Sequence, residues 1–558
     1  MKKLPLSFIG LMVFLSVSTQ LWAQNSKDSL ALQMDAIFKK YDLPNRPGCA
    51  VAVIRNDSVV FKKGYGMANL EYDIPIKPSS VFDIASVSKQ FAGFAIATLV
   101  EQKKVGLDDD IHKYLPEVPD FGKTITVRHL VHHTSGLRDW PEALHVAGWR
   151  WEEAFSFSDI MRMVKNQKDL DFEPGLKYSY SNTGYNLLAA IVEKVSGQSF
   201  RTWTDSTIFT PLGMTSSHFM EDYTEVVKNL AYSYSPTDKG FKKSLSTLTA
   251  YGSSSLFTSA EDLCKWVINF DKNIAAKNPV YLRMLEKGIL NNGEKVDYGY
   301  GLATEIEEGF NTVSHTGGWA SYRTVIMNYP EQHLSFIILS NAGDFNLGGS
   351  IDEVAHVWLK FPTNTTTDTK PVSIKDLPTI KGKLSLLQKY TGTYQLGPNW
   401  AVTITLENGQ LMTQANKEDK FPMETKSDST FWVNAYGAYM TFVKDSTGGF
   451  NKLQYKAIQA KRITPWKPAP SQLNRYLGTY YSKELGTEYM VKKRGDQLYL
   501  QHFRLGESKL GIDPTSEDQF GANIGSIHFF RHPEVPAKVS GFYLSGGRIQ
   551  HIRFDRRK

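Results

Sequence analysis

Apolar residues first recur with helical spacing in NSKDSLALQMDAIFKKYDL, where Leu30, Met34, Ile37 and Phe38 fall on one face. The pattern then changes to two β-rich runs around Arg55-Asn56-Asp57 in GCAVAVIRNDSVVFKKGYGMAN, which predicts a hairpin. An apolar helical run follows within FDIASVSKQFAGFAIATLVEQ, residues 82–102. From about 105 to 270 the spacing is mainly helical with long loops, and TSAEDLCKWVINF offers an S-x-x-D capping box at Ser259 and Asp262. Short β runs return in YGYGLATEI, NTVSHTGG, YRTVIMNYP and HLSFIILSN, and GGSIDEVAHVWLK closes the stretch as a helix. Helix, hairpin, helical insert and strands together predict an α+β fold. The two ends of this region should meet in one antiparallel sheet with helices on its faces.

Beyond it the pattern is different. FPTNTTTDTKPVSIKDLPTIKG lacks periodicity and reads as a linker, 361–383. The remainder reads as all-β with an internal repeat: LQKYTGTYQL matches LNRYLGTYYS, placing Tyr390 86 residues before Tyr476, and ENGQLMTQ echoes RGDQLYLQ. Two β-rich modules, 384–468 and 469–558, fit this best. The repeated YxGTY is expected to be packed strand rather than a ligand platform.

Composition adds a leader and an asymmetry. MKKLPLSFIGLMVFLSVSTQLWAQ has Lys2 and Lys3, an apolar stretch and Trp22-Ala23-Gln24, the layout of a signal peptide spanning 1–23. Export to the periplasm or the medium is the expectation, ahead of an uncleaved membrane anchor. The first domain then spans 24–360. Residues 370–558 hold 28 Lys and Arg against 16 Asp and Glu, while the whole chain is only +7, so the earlier part is acidic. This argues for two physically distinct parts. The basic part could face anionic cell-envelope polymers, but its charges are scattered, as on a solvated surface, and no nucleic-acid motif is present. Cys49 and Cys264, the only cysteines, sit in apolar contexts and read as small buried side chains, with one long-range disulfide the alternative.

Three separated stretches carry chemistry. Ser86 stands three residues before Lys89, so a lysine can reach its hydroxyl from the same face of a helix start. A serine is a weak nucleophile until a base takes its proton, and a lysine serves only if burial or nearby positive charge favours its neutral form. Alone, S-x-x-K is also an ordinary helix start. Tyr180-Ser181-Asn182 offers a phenol that can relay a proton and an amide that can hold a substrate carbonyl or amide. His315-Thr316-Gly317-Gly318 falls on a predicted strand, where glycines allow close backbone approach and the Gly318 N–H could pair with that of Ser86 in an oxyanion hole.

S-x-x-K, then Y-x-N, then [KH]-T-G, in that order, resembles the serine β-lactamase and penicillin-binding-protein superfamily, most closely its class C-like branch, which includes esterases and D-amino-acid peptidases. Supporting stretches are HLVHHTSGL, FEPG and SSSLFTSAEDLCKW, and the resemblance covers about 30–360. It implies a sheet flanked by helices with a helical subdomain. It implies Ser86 as nucleophile with Lys89 and Tyr180 as catalytic partners, and Asn182, His315, Thr316 and Gly317 along the substrate. The expected reaction is cleavage of a small ester or peptide through an acyl-enzyme, with no cofactor. Weak β-lactamase activity and an idle envelope-binding protein are the alternatives. The β-modules resemble the lipocalin-like barrels that some relatives carry. One departure is His315, where β-lactamases and transpeptidases usually have Lys; a neutral imidazole attracts a substrate carboxylate less than an ammonium does.

Other chemistries find little support. Of His129, His132 and His133, two stand at helical i, i+3 spacing, but no third ligand in suitable geometry joins them and no HExxH is present. No G-x-S-x-G elbow occurs either. Neither oligomeric state nor substrate identity follows from these residues.

Overall fold

The computed structural model describes residues 29–359 and 378–557, apart from 398, 399, 417 and 447. The expected leader and most of the expected linker lie outside the described residues. The described residues form two compact units, one comprising 29–141 with 150–359, the other Glu142–Trp149 with 378–557.

The first unit is α+β. Strands β1 (Cys49–Arg55), β2 (Ser58–Tyr65), β3 (Ala303–Glu307), β4 (Phe310–Trp319), β5 (Tyr322–Tyr329) and β6 (Leu334–Ser340) form an antiparallel sheet in the order β3-β4-β5-β6-β1-β2. The ends of the region meet as expected: β1 pairs with β6, with Val51 opposite Ile338. The β1–β2 turn is Asn56-Asp57, both at positive φ, which suits a two-residue hairpin because that turn twists with its strands.

Both faces of this sheet are covered, which explains why Cys49–Ile54 and all of β6 are buried rather than alternating. On one side a helix over 29–38 and α5 (Leu347–Trp358) pack Met34, Phe38, Val354 and Trp358 against Val51, Val53, Phe336 and Ile338. On the other lies α4 (Ala260–Ala275), tied to α2 (Lys89–Glu101) where Trp266 Nε1 donates to Gln90 Oε1 at 2.6 Å. The Ser259 cap of α4 forms, with Ser259 Oγ accepting from Asp262 N. The reciprocal half of the box does not, because the Asp262 carboxylate accepts from Ser216 N and Ser217 Oγ instead. Cys49 and Cys264 are buried free thiols, so the disulfide alternative falls away.

The second unit is all-β. Its first module is a nine-stranded sheet whose first strand, Gly392–Gly397, lies beside its last, Ile458–Ile463. The second is a closed barrel of eight strands with Gly478–Ser482 beside Ile549–Arg556. Among the described residues no helix is long and apolar enough to cross a membrane.

Candidate active site

The chain reaches the site through a strained turn. Asp83 ends a short strand, and Ala85 adopts φ +47°, a left-handed conformation costly for a residue with a Cβ. Two contacts hold it there: the Asp83 carboxylate accepts from Ala85 N at 2.8 Å, and Thr324 Oγ1 on β5 donates to Ile84 O at 2.8 Å. Ser86 therefore lies not in the helix proper but in a 3-10 turn, Ala85–Ser88, and α2 begins at Lys89. The spacing still places the lysine over the serine. Burial pushes the Asp83 carboxyl up to about 6, opposed by its hydrogen bonds from Ala85 N and Ser246 Oγ.

Lys89 is fully buried. Its Nζ lies 3.1 Å from Ser86 Oγ, 2.8 Å from Asn182 Oδ1 and 2.7 Å from Ser253 O. It also stands 4.8 Å from the centre of the Tyr180 ring. Three acceptors suit an ammonium. A neutral amine is equally satisfied, donating to Asn182 and Ser253 and turning its lone pair to the Ser86 hydroxyl. Asn182 is the first residue of α3 (Asn182–Ser196), which Ser181 caps by accepting from Gly184 N. Asp139 fixes the amide, accepting from Asn182 N at 2.7 Å and Nδ2 at 3.1 Å, so Oδ1 must face Lys89.

Strand β4 supplies the third side. Strand β3 pairs only with Phe310–Ser314, leaving His315–Trp319 without a partner on that edge among the described strands. Gly317 lies so close to the nucleophile turn that an added methyl would overlap Ile84 O and Thr324 Oγ1 and stand 3.2 Å from Ser86 N. Thr316 and Gly318 are exposed on either side of it. His315 is turned inward: its Nδ1 donates to Thr316 O at 2.6 Å, which leaves Nε2 to accept from Tyr298 OH at 2.9 Å. Burial, with Lys89 nearby, pushes this imidazole down to about 3. With both nitrogens engaged, it can meet a substrate with its ring rather than with a donor.

Two clefts lie along this edge, one on the His315–Thr316 side of Gly317 and one on the Gly318 side. One, of about 530 Å³, is lined by Tyr178, Tyr180, Tyr298, His315 and Thr316 with acidic residues such as Glu294 and Glu305. The other, of about 550 Å³, begins at Gly318 and Trp319.

The structure thus brings Ser86, Lys89 and Asn182 into one hydrogen-bonded group, with Tyr180 against the lysine and the Gly317 backbone against the serine. Sequence reasoning missed Asp139, Tyr298, Ser253 and His133. His133 Nδ1 accepts from Ser181 N at 3.0 Å and its ring packs 4.4 Å from that of Tyr180. Ser253 acts through its carbonyl, which no side-chain pattern reveals; Asp139 acts through Asn182, 43 residues away. His133 lay in the stretch HLVHHTSGL, which marked the region without giving the role. No group of side chains suited to a metal ion occurs among the described residues.

Residues 34–356 match the family model Beta-lactamase, and 380–465 match a domain of unknown function, DUF3471. Penicillin-binding protein 4* of Bacillus subtilis (strain 168) is 28% identical over 445 residues, 75% of this chain and 94% of that protein. A D-aminopeptidase of Gluconobacter oxydans (strain 621H) is 28% identical over 320 residues, 56% of this chain; the chain spans 59% of that relative. In fold, the chain is similar to the octameric penicillin-binding protein homologue from Pyrococcus abyssi, with a TM-score of 0.53, 24% identity, and coverage of 78% and 99% of the two chains.

Proposed function

The chain belongs to the Beta-lactamase family over residues 34–356, and from that premise we propose that it is an exported serine hydrolase that cleaves a small peptide or ester through an acyl-enzyme on Ser86. The observation that carries the reading is the position of Lys89 Nζ, 3.1 Å from Ser86 Oγ and 2.8 Å from Asn182 Oδ1. Ser86 Oγ attacks the carbonyl carbon as its proton passes to Lys89. The Lys89–Tyr180 pair returns the proton to the leaving nitrogen or oxygen, and the C–N or C–O bond breaks. The N–H groups of Ser86 and Gly318 hold the oxyanion, and the same pair activates the water that releases the acid. Asn182 presents its amide to the substrate while Asp139 keeps it oriented.

Peptide substrates are supported by the similarity to a D-aminopeptidase, and the N-terminal charge and hydropathy pattern supports export. β-Lactams are disfavoured, because His315 is neutral and both its nitrogens are engaged. The test is intact mass after mixing with a small activated ester and quenching. An acyl adduct on Ser86, absent in Ser86→Ala, is expected; turnover that survives Ser86→Ala would overturn the reading.

A further inference from the structure

The leaving group must lie where its proton is delivered. Tyr180 lines the cleft that His315 and Thr316 also line; on the acyl-enzyme reading the leaving group is received there and the acyl group is left to the cleft that begins at Gly318. That second cleft has an apolar wall and a positive rim. The Trp151 and Trp319 rings lie 6.2 Å apart, and Leu245, which also lines the cleft, is largely exposed.

The cleft's charge is set by a few groups. Arg323 stands directly across the β4–β5 ladder from Gly318, so both project from the same face of the sheet. Its Nη1 lies 3.8 Å from where a Gly318 Cβ would be. That nitrogen donates to Tyr322 O at 2.7 Å and Ala320 O at 3.5 Å, and no carboxylate pairs with the guanidinium among the described residues. Lys243 on the same rim is already held by Glu71 at 2.6 Å. Lys242 lines the cleft with no ion pair among the described residues. Glu152, the cleft's carboxylate, offsets one of these two charges and leaves the other.

A guanidinium beside the oxyanion strand, half-buried and without an anion, is suited to a planar carboxylate. We propose that this cleft is the acyl subsite, that it selects acyl groups carrying a carboxylate at the end of a short apolar chain, and that Arg323 is the recognising residue with Lys242 as a supporting charge. The proposal rests on the Ser86 acyl-enzyme reading. The apolar chain lies on Trp319, and the carboxylate meets the free donors of Arg323.

Three p-nitrophenyl esters with one leaving group test it: the monoester of adipate, the hexanoate, and 6-(trimethylammonio)hexanoate. We expect kcat/KM for the adipate monoester to exceed that for the hexanoate by about tenfold, the size of a charge-assisted contact, and the cationic ester to be slowest. Arg323→Met should remove the preference, Arg323→Lys should restore part of it, and Arg323→Glu should favour the cationic ester. Lys242→Met, on an exposed side chain, should lower the adipate-to-hexanoate ratio by about threefold. Equal kcat/KM for adipate and hexanoate in the wild type, or a loss in Arg323→Met that is the same for both, overturns the subsite while leaving the acyl-enzyme intact. No Ser86-dependent turnover of any ester overturns the parent reading and the subsite with it.

Discussion

Two buried groups beside Ser86 are held out of their ordinary titration range in opposite senses. His315 is kept neutral between Thr316 O and Tyr298 OH and is pushed down to about 3. Between pH 6.5 and that value the unfolded chain binds a proton that the folded chain refuses. The stability from keeping it neutral is therefore complete above pH 6.5 and is lost as the pH falls towards 3, on the order of 5 kcal/mol for the full shift. Asp83 is pushed up to about 6 by burial. Here the folded chain takes the proton first, so the ionised carboxylate costs stability above pH 6, and that cost fades as the pH falls towards 4. Denaturant titrations from pH 4 to pH 8 should show His315→Gln flattening the acid-side loss, with a residual slope from His132, which burial pushes down to about 4. Asp83→Asn should be more stable than the wild type at pH 8 and equal to it near pH 4. Because His315 does not titrate near neutrality, any limb of the kcat/KM profile between pH 5 and 8 should survive in His315→Gln.

At the scale of elements, what could be read in the sequence was periodicity. The 29–38 helix, the Asn56-Asp57 hairpin, the largely apolar β1 and β6, and the strand carrying His315-Thr316-Gly317 all follow from local spacing and turn chemistry. The nucleophile turn was not readable, because Ala85 takes its left-handed conformation from contacts made at a distance, by Thr324 on β5 and by the Asp83 carboxylate. The second half of the α4 capping box failed for the same kind of reason: Asp262 found better donors in the Ser216–Ser217 segment. Strand β4 and the turn are in register only because Gly317 has no side chain. Gly317→Ala should force the strand away from Ile84 and Ser86 and displace the Gly318 N–H, costing about 100-fold in kcat, the scale of losing an oxyanion donor. Turnover of the hexanoate ester at saturation checks this, and a variant with wild-type kcat would mean that Gly318 does not act there.

Over the molecule as a whole, the second unit repeats one closure device. In each module a short helical turn ends on a buried tyrosine, Tyr390 or Tyr476, and the tyrosine four residues later donates back to its carbonyl: Tyr394 OH to Tyr390 O at 2.9 Å, Tyr480 OH to Tyr476 O at 2.7 Å. Between them Gly392 and Gly478 sit at φ +145° and +143°, where the side chains of Arg462 and Arg556 from the last strand pass. Each arginine stands opposite the second tyrosine in the ladder and donates to a carbonyl, Thr391 or Leu477. The YxGTY repeat is thus the seam joining first strand to last, and part of the basic excess of this region is spent inside it. The modules differ elsewhere: the first leaves edges at Phe421–Pro422 and Glu424–Thr425, where Pro422 has no N–H to extend the ladder, while the second closes. If each seam serves its own module, Tyr394→Phe and Tyr480→Phe should each lose about 1–3 kcal/mol, the cost of a buried carbonyl left short of its donor. Amide hydrogen exchange should then quicken in the first and last strands of the altered module and stay at wild-type rates in the other; quickening of both by either variant would make the two modules one cooperative body.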